Sequence, residues 1–457
     1  MSGIKSFFNR VISTPISSGS LTYRTCLGAI IVTVIGLSAC HSGSDGSKEQ
    51  PQLNAAPGIL SALPTPTLIS LPAPTPISPA LKQYYHDNCE AWYNMRLRNS
   101  GFNGGMLVAK NGNIVFEQYK GTAHIGGSDI VNEHTPFHIA SVSKTFTAMA
   151  VLKLYQDSLI KLDDQFSKYF PQFNYPGVTI KDLLSHRSGL PNYLYFLEDL
   201  HWDETKFATN EDVLSLMISR KNEIKDISEP NTHFEYCNTN FALLALLIEK
   251  VTGKKFPQYI QENFFTPLQM NNTFIFNPDS MASANRSYDY RGRIEKDNYL
   301  DKVYGDKDVY TTPRDLLIWD RALTTGAIFK PETIALAYTP YSNERRGIRN
   351  YGLGWRMFVF PSGKKIIYHN GWWHGSNASF IRLIDDSATI IILGNKYNRN
   401  IYHAKELAGL FGNYGGKAEE QEENEAAEPA GRKIVRRRVV RVHSTKHGAA
   451  KHTIKHK

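Results

Sequence analysis

SVSKTF at residues 141–146 sets a serine and a lysine three apart at the head of an apolar run. A serine hydroxyl attacks a carbonyl only if its proton leaves as it does so, and a neighbouring base makes that possible. Residues three apart on a helix share a face, so Ser141 and Lys144 can meet. Lysine serves as such a base when burial or nearby positive charge lowers its pKa. A serine opening a helix also has an unpaired backbone N–H, available to an oxyanion hole. The competing reading is a helix cap, the common use of serine at that position.

Spacing alone does not choose this pair, because SxxK recurs at Ser158/Lys161 and Ser362/Lys365. The Ser158 copy sits in a polar turn and the Ser362 copy precedes a strand. Only Ser141 opens a long apolar helix directly after a strand-like segment, TPFHIA. Tyr236-Cys237-Asn238 begins another apolar helix, 240–253, where a tyrosine and an asparagine two apart could face a cleft. YxN also occurs at Tyr341, in a charged loop, and at Tyr368, in a strand. His369-Asn370-Gly371 ends the strand KKIIY, where a glycine lets a substrate backbone come close. HxG recurs at His41 and His124, so each triplet is weak and the ordered set carries the argument.

The elements that must position these residues are legible in outline. GGMLVAKNGNIVFEQYKG (104–121) is two apolar runs around Asn111-Gly112, a hairpin signal. From 141 to about 300 the pattern is helical, and NFALLALLIEKVTG ends on Gly253, suited to a left-handed cap. Three strands follow late, GKKIIYHNG, SFIRLI and TIIILGN, and then a closing helix at 401–414. Strands at both ends with helices between predict one α/β (α+β) unit over 81–415, an antiparallel sheet flanked by helices with an inserted, mainly helical subdomain.

With these motifs the chain resembles the serine β-lactamase and penicillin-binding-protein superfamily. The branch is that of class C β-lactamases, D-alanyl-D-alanine carboxypeptidases and related esterases. SVSK matches the SxxK element, Tyr236-Cys237-Asn238 the YxN element, and His369-Asn370-Gly371 the strand-borne third element. TIKDLLSHRSGLP, VYTTPRDLLIWDRAL and YGLGWRMF are also similar to stretches of this branch. The resemblance implies that Ser141 is acylated, that Lys144 takes or relays its proton, and that Tyr236 acts with Lys144 as general base and acid. It implies that Asn238 binds the substrate's amide or acyl side chain, and that His369, within the substrate-binding element His369-Asn370-Gly371, binds the substrate carboxylate or supports the Tyr236 proton path. The backbone N–H groups of Ser141 and Trp372 would form the oxyanion hole. The implied substrate is a small peptide or ester, peptidoglycan-derived, with D-Ala-D-Ala peptides ahead of small esters and β-lactams. A non-catalytic penicillin- or envelope-binding receptor is the alternative of another class.

Three departures matter. No KTG or KSG occurs, and His369 is a weaker, pH-dependent cation than lysine. Cys237 replaces the usual middle serine of YxN and is expected to pack, as free cysteine does. Trp372 and Trp373 follow Gly371 where small residues are common, and they should narrow the pocket or pack inward.

The remaining chain sets the context. Lys5, Arg10 and Arg24 precede the apolar run CLGAIIVTVIGLSAC, which ends in Leu-Ser-Ala-Cys40. This reads as a signal peptide (1–40) whose end resembles a bacterial lipobox, so that Cys40 would become the lipidated N-terminus on a bacterial envelope membrane; an ordinary signal peptide or a short membrane anchor is the alternative, and each sends the chain out of the cytoplasm. Residues 41–80, rich in Pro and Ser, read as a spacer. Residues 416–457 are acidic and then basic, a composition expected to be disordered. Residues 432–457 hold ten Lys and Arg and no acid, so the net charge of +9 becomes 9 − 10 = −1 without them. The basic character is a tail that can contact anionic polymers, not a nucleic-acid-binding fold. No GxSxG elbow occurs, and His134, His138 and His186 lack metal-ligand spacing. Neither metal nor cofactor is expected.

Overall fold

In the computed structural model, which describes residues 67–277, 286–344 and 347–414, Asn111-Gly112 makes the tight turn that its residue types favour. Their φ angles are 53° and 76°, the left-handed pair a two-residue hairpin between twisted strands demands. The turn joins Gly104–Lys110 to Asn113–Lys120. Five more strands, Arg349–Tyr351, Arg356–Val359, Lys365–Trp373, Ser376–Leu383 and Ala388–Gly394, complete a seven-stranded antiparallel sheet. Its order is 113–120, 104–110, 388–394, 376–383, 365–373, 356–359, 349–351, so the first and last strands of the domain pair as its second and third members.

ATIIILG reads as an unbroken apolar run because both faces of its strand are covered. Ile390 and Ile392 join Met106, Val108 and Ile381 in one core layer; Ile391 and Leu393 join Leu107 and Phe380 in the other. The first layer is closed by the helix Pro79–Arg96 and the 3-10 segment Arg399–Leu410, which stands where a closing α-helix was expected. The second is closed by a helical region that includes Ser143–Gln156, Asn210–Ser219 and Asn238–Thr252. Thr209 and Asp212 form a capping box, and Gly253 ends its helix at φ 71° as its position predicts. Helices continue past residue 300 in Pro313–Thr324 and Pro331–Ala337, so the insertion is longer than its pattern suggested. The expected fold class is the one observed.

Two local departures bear on the site. TPFHIA contributes only the two-residue strand Phe137–His138, paired with Val309–Thr311, because the chain turns sharply at Ala140. Residues 67–78, expected to be a free spacer, instead lie along the domain. Ile69 N–H donates to the Pro267 carbonyl at 2.8 Å, Asn113 Nδ2 donates to the Thr75 carbonyl at 2.6 Å, and Arg321 donates to the Pro72 carbonyl. Prolines lack N–H groups but keep their carbonyls, so a proline-rich strap docks mainly as an acceptor. The signal segment with Cys40, the spacer to residue 66 and the tail from 415 lie outside the described residues.

Candidate active site

Ser141 sits in a single 3-10 turn, Ala140–Val142, that leads into the helix Ser143–Gln156. Ala140 has φ 46°, a conformation costing a non-glycine residue about 1 kcal/mol or more. The surroundings hold it there: Ile139 N–H donates to the Val309 carbonyl at 3.0 Å, and Gly371 packs on the same backbone. A Cβ on Gly371 would stand 2.1 Å from the Ile139 oxygen and 3.1 Å from the Ser141 nitrogen. The third element therefore has glycine because the Ser141 turn occupies the space of a side chain.

The serine and lysine meet. Lys144 Nζ donates to Ser141 Oγ at 3.0 Å, to Asn238 Oδ1 at 2.7 Å and to the Asp306 carbonyl at 2.9 Å. Lys144 is fully buried, and these three acceptors are neutral oxygens, which hold an ammonium less tightly than a carboxylate would. Asn238 is the first residue of its helix, so one YxN element delivers both a bond to Lys144 and the neighbouring Tyr236. Lys144 Nζ lies 5.0 Å from the Tyr236 ring centroid, and the Arg356 guanidinium lies 4.7 Å from it. Two cations are thus drawn to the negative face of one phenol.

Cys237 packs, as expected. It is buried, desolvation pushes its thiol up to about 11, and its N–H donates to His186 Nδ1 at 3.1 Å. His186, with its ring 4.3 Å from that of Tyr236, holds the Tyr236-Cys237 turn in place. Burial first, then Lys144 and Arg356, keep this histidine neutral.

His369 lies near Tyr236, ring centroids 6.4 Å apart, but not as a cation. It is fully buried, and desolvation, then Arg356 and Lys144, hold its pKa well below 6.5. Its Nδ1 is 2.7 Å from the Asn370 carbonyl, which can only accept, so Nδ1 carries the proton and Nε2 accepts from Tyr351 Oη at 3.2 Å. The unfolded chain binds a proton at His369 near pH 6.5 and the folded chain does not, so through this residue the folded state loses stability as pH falls below about 6.5. The fall in Tm between pH 7.5 and 5 should be shallower in His369→Gln than in the wild type, and parallel curves would show that His369 protonates in the folded chain.

The Asn370 side chain departs from the expected arrangement, whereas Trp372 was expected at the site only through its backbone N–H. Side chains alternate along a strand, and these two share the face of Tyr368, opposite His369. Asn370 Oδ1 accepts from Ser379 Oγ at 2.9 Å across the sheet, and the Trp372 indole donates to the His374 carbonyl at 2.8 Å and tilts on Tyr397. The Trp372 side chain is thus turned away from the face that carries His369. Trp373 is on the site face, its indole donating to Asp301 Oδ1 at 2.5 Å.

Arg356, Tyr351, His186 and the Asp306 carbonyl are contacts that motif reading did not assign. Arg356 was visible as the one charged residue in YGLGWRMF.

The family model described as Beta-lactamase matches residues 97–408. The chain belongs to this family. It is similar to penicillin-binding protein 4* of Bacillus subtilis, 32% identical over 333 residues, covering 68% of this chain and 73% of that protein. A putative penicillin-binding protein, PbpX, of the same organism is 27% identical over 66% of this chain and 73% of its own length. Among solved structures, a penicillin-binding protein from Bacillus halodurans superposes with TM-score 0.62 at 25% identity, covering 72% of this chain and 99% of that one. An octameric penicillin-binding protein homologue from Pyrococcus abyssi, 22% identical over 71% of this chain and 77% of its own, shares the fold at TM-score 0.60.

Proposed function

We propose that this β-lactamase family member is an extracytoplasmic serine hydrolase acting through an acyl-enzyme on an amide or ester, with D-Ala-D-Ala peptides as the leading substrate. The observation that carries the reading is the buried Lys144 Nζ, 3.0 Å from Ser141 Oγ and held by neutral oxygens. Lys144, once it has given up a proton in this buried setting, takes the Ser141 proton as Oγ attacks the carbonyl carbon. The proton then moves through Tyr236 to the leaving nitrogen or oxygen, and water reverses the sequence at the acyl-serine. The backbone N–H groups of Ser141 and Trp372 receive the oxyanion. Asn238 Nδ2 donates to the acyl side chain, since Oδ1 is given to Lys144. Arg356 takes the carboxylate-binding role that a neutral His369 cannot fill, and His369 with Tyr351 orients this wall. The similarity to penicillin-binding proteins supports a peptide carbonyl over a simple ester.

The test is covalent. The purified chain is treated with a fluorophosphonate and, separately, with a labelled penicillin, and the modified peptide is mapped by mass spectrometry. Both labels are expected on Ser141, and neither should appear in Ser141→Ala. Absence of both from wild-type Ser141 sinks the proposal; fluorophosphonate alone narrows it to esters and non-β-lactam amides. Anchoring through lipidated Cys40 is proposed from its sequence setting. In fractionated cells the same label should sediment with membranes and become soluble in Cys40→Ala.

A further inference from the structure

A second cleft opens beside Trp373. Its lining includes Lys307 and Asp308, the residues just after the carbonyl that accepts from Lys144. Asp308 is 4% exposed. Its Oδ1 accepts the Gly305 N–H at 2.8 Å, whereas Oδ2 is buried and has no hydrogen-bond partner among the described residues. A buried carboxylate oxygen without a donor is costly unless something arrives to meet it.

The charges around it indicate what would arrive. Asp297, Asp301 and Glu295 also line the cleft. Asp301 is already engaged by the Trp373 indole and by His374 Nε2, at 2.5 and 3.1 Å. Lys307 turns its ammonium to Tyr193 Oη at 2.5 Å, the Val303 carbonyl at 3.0 Å and Asp306 Oδ1 at 3.4 Å, so its charge is matched within the wall. His138 is buried and neutral, its pKa lowered to about 4 chiefly by desolvation. Arg286 is an exposed cation at the rim. Burial, then the Asp306 charge, pushes the Asp308 carboxyl up to about 7, so an incoming cation would favour its ionised form. Phe276 and Tyr310, centroids 5.8 Å apart, supply an aromatic wall. No group of three or more His, Cys, Asp or Glu among the described residues is gathered as for a metal ion.

We propose that this cleft binds a primary ammonium at the end of a short methylene chain, with Asp308 and Asp297 as its carboxylate partners and the rings of Phe276 and Tyr310 along the chain. In the hydrolase reading, on which only this clause rests, the ammonium belongs to the substrate acylating Ser141.

The test needs no turnover. The intact chain is titrated calorimetrically with n-pentylammonium and with n-pentanol, which differ at the charged end. The ammonium is expected to bind at least about tenfold more tightly, a charge-assisted contact with a buried acceptor. Asp308→Asn keeps an acceptor for Gly305, removes the charge and should bring the ratio close to one. Asp297→Asn, in the same cleft, should reduce it too and serves if Asp308→Asn melts early. Equal affinity in the wild type, or a preference surviving both variants, overturns the proposal. So does displacement by potassium chloride but not by tetramethylammonium chloride, which assigns the cleft to an inorganic cation. Failure here leaves Ser141 labelling intact, whereas an unlabelled Ser141 with intact ammonium binding sinks only the hydrolase reading.

Discussion

Replacing Lys144 by alanine is expected to slow acylation of Ser141 by about 10²–10⁴-fold, the usual worth of a positioned general base. The lysine stands in one straight line of consequence from the sequence. Three-residue spacing put it beside Ser141, the adjoining YxN element gave it Asn238, and the loop at Asp306 closed the third side. Alanine alone does not separate a base from a cation that merely holds the cavity together. Lys144→Arg does, because a guanidinium keeps the charge and the donors but does not surrender a proton. Both variants should therefore acylate slowly in stopped-flow measurements with a fluorogenic acyl donor. An arginine variant acylating at the wild-type rate would show that charge, and not proton transfer, is what the site requires.

Gly371→Ala should be nearly as damaging although it removes no functional group. Its Cβ would stand 2.1 Å from the Ile139 oxygen and 3.1 Å from the Ser141 nitrogen, backbone atoms that cannot swing aside. Either the strand end or the nucleophile turn must move, and a misplacement of about 1 Å can cost about 100-fold in rate. If the proposed oxyanion hole holds, the same shift carries the Trp372 N–H away from the Ser141 N–H, and losing one such donor costs about 10²–10³-fold. A loss of about 100-fold or more in kcat/KM with a lowered Tm is expected. Gly409→Ala is the matched control, since nothing lies within 4 Å of a Cβ there. Near-wild-type activity in Gly371→Ala would remove the third element from the oxyanion hole.

What could be read from the chain in advance follows from how local each signal is. The Asn111-Gly112 turn, the Gly253 cap and the Ser141–Lys144 pairing are set within a few residues, and the sequence carries them. The charge on His369 is not local. It depends on full burial between Arg356 and Lys144, from strands and helices far apart in the chain. Asn370 was counted with the site because it adjoins Gly371, but the two-residue period of the strand turns its side chain to the other face. The left-handed Ala140 was invisible for a different reason: alanine gives no sign of unusual backbone, and only the packing of Gly371 and Val309 imposes it. Arg356 stood in plain view inside YGLGWRMF, yet its target, the Tyr236 ring, comes from a distant segment.

The docked strap sets how far the domain can work from its anchor. With Cys40 as the attachment proposed above, 66 − 40 = 26 residues, all outside the described ones, separate it from the docked strap. Covalent geometry limits 26 residues to about 90 Å, against about 130 Å for 38 had residues 67–78 not docked. The tether also leaves the domain at a fixed point, beside Pro267 and the 104–120 hairpin, and not at the start of the first helix. On that proposal the docked strap shortens the reach from such an anchor by about 40 Å.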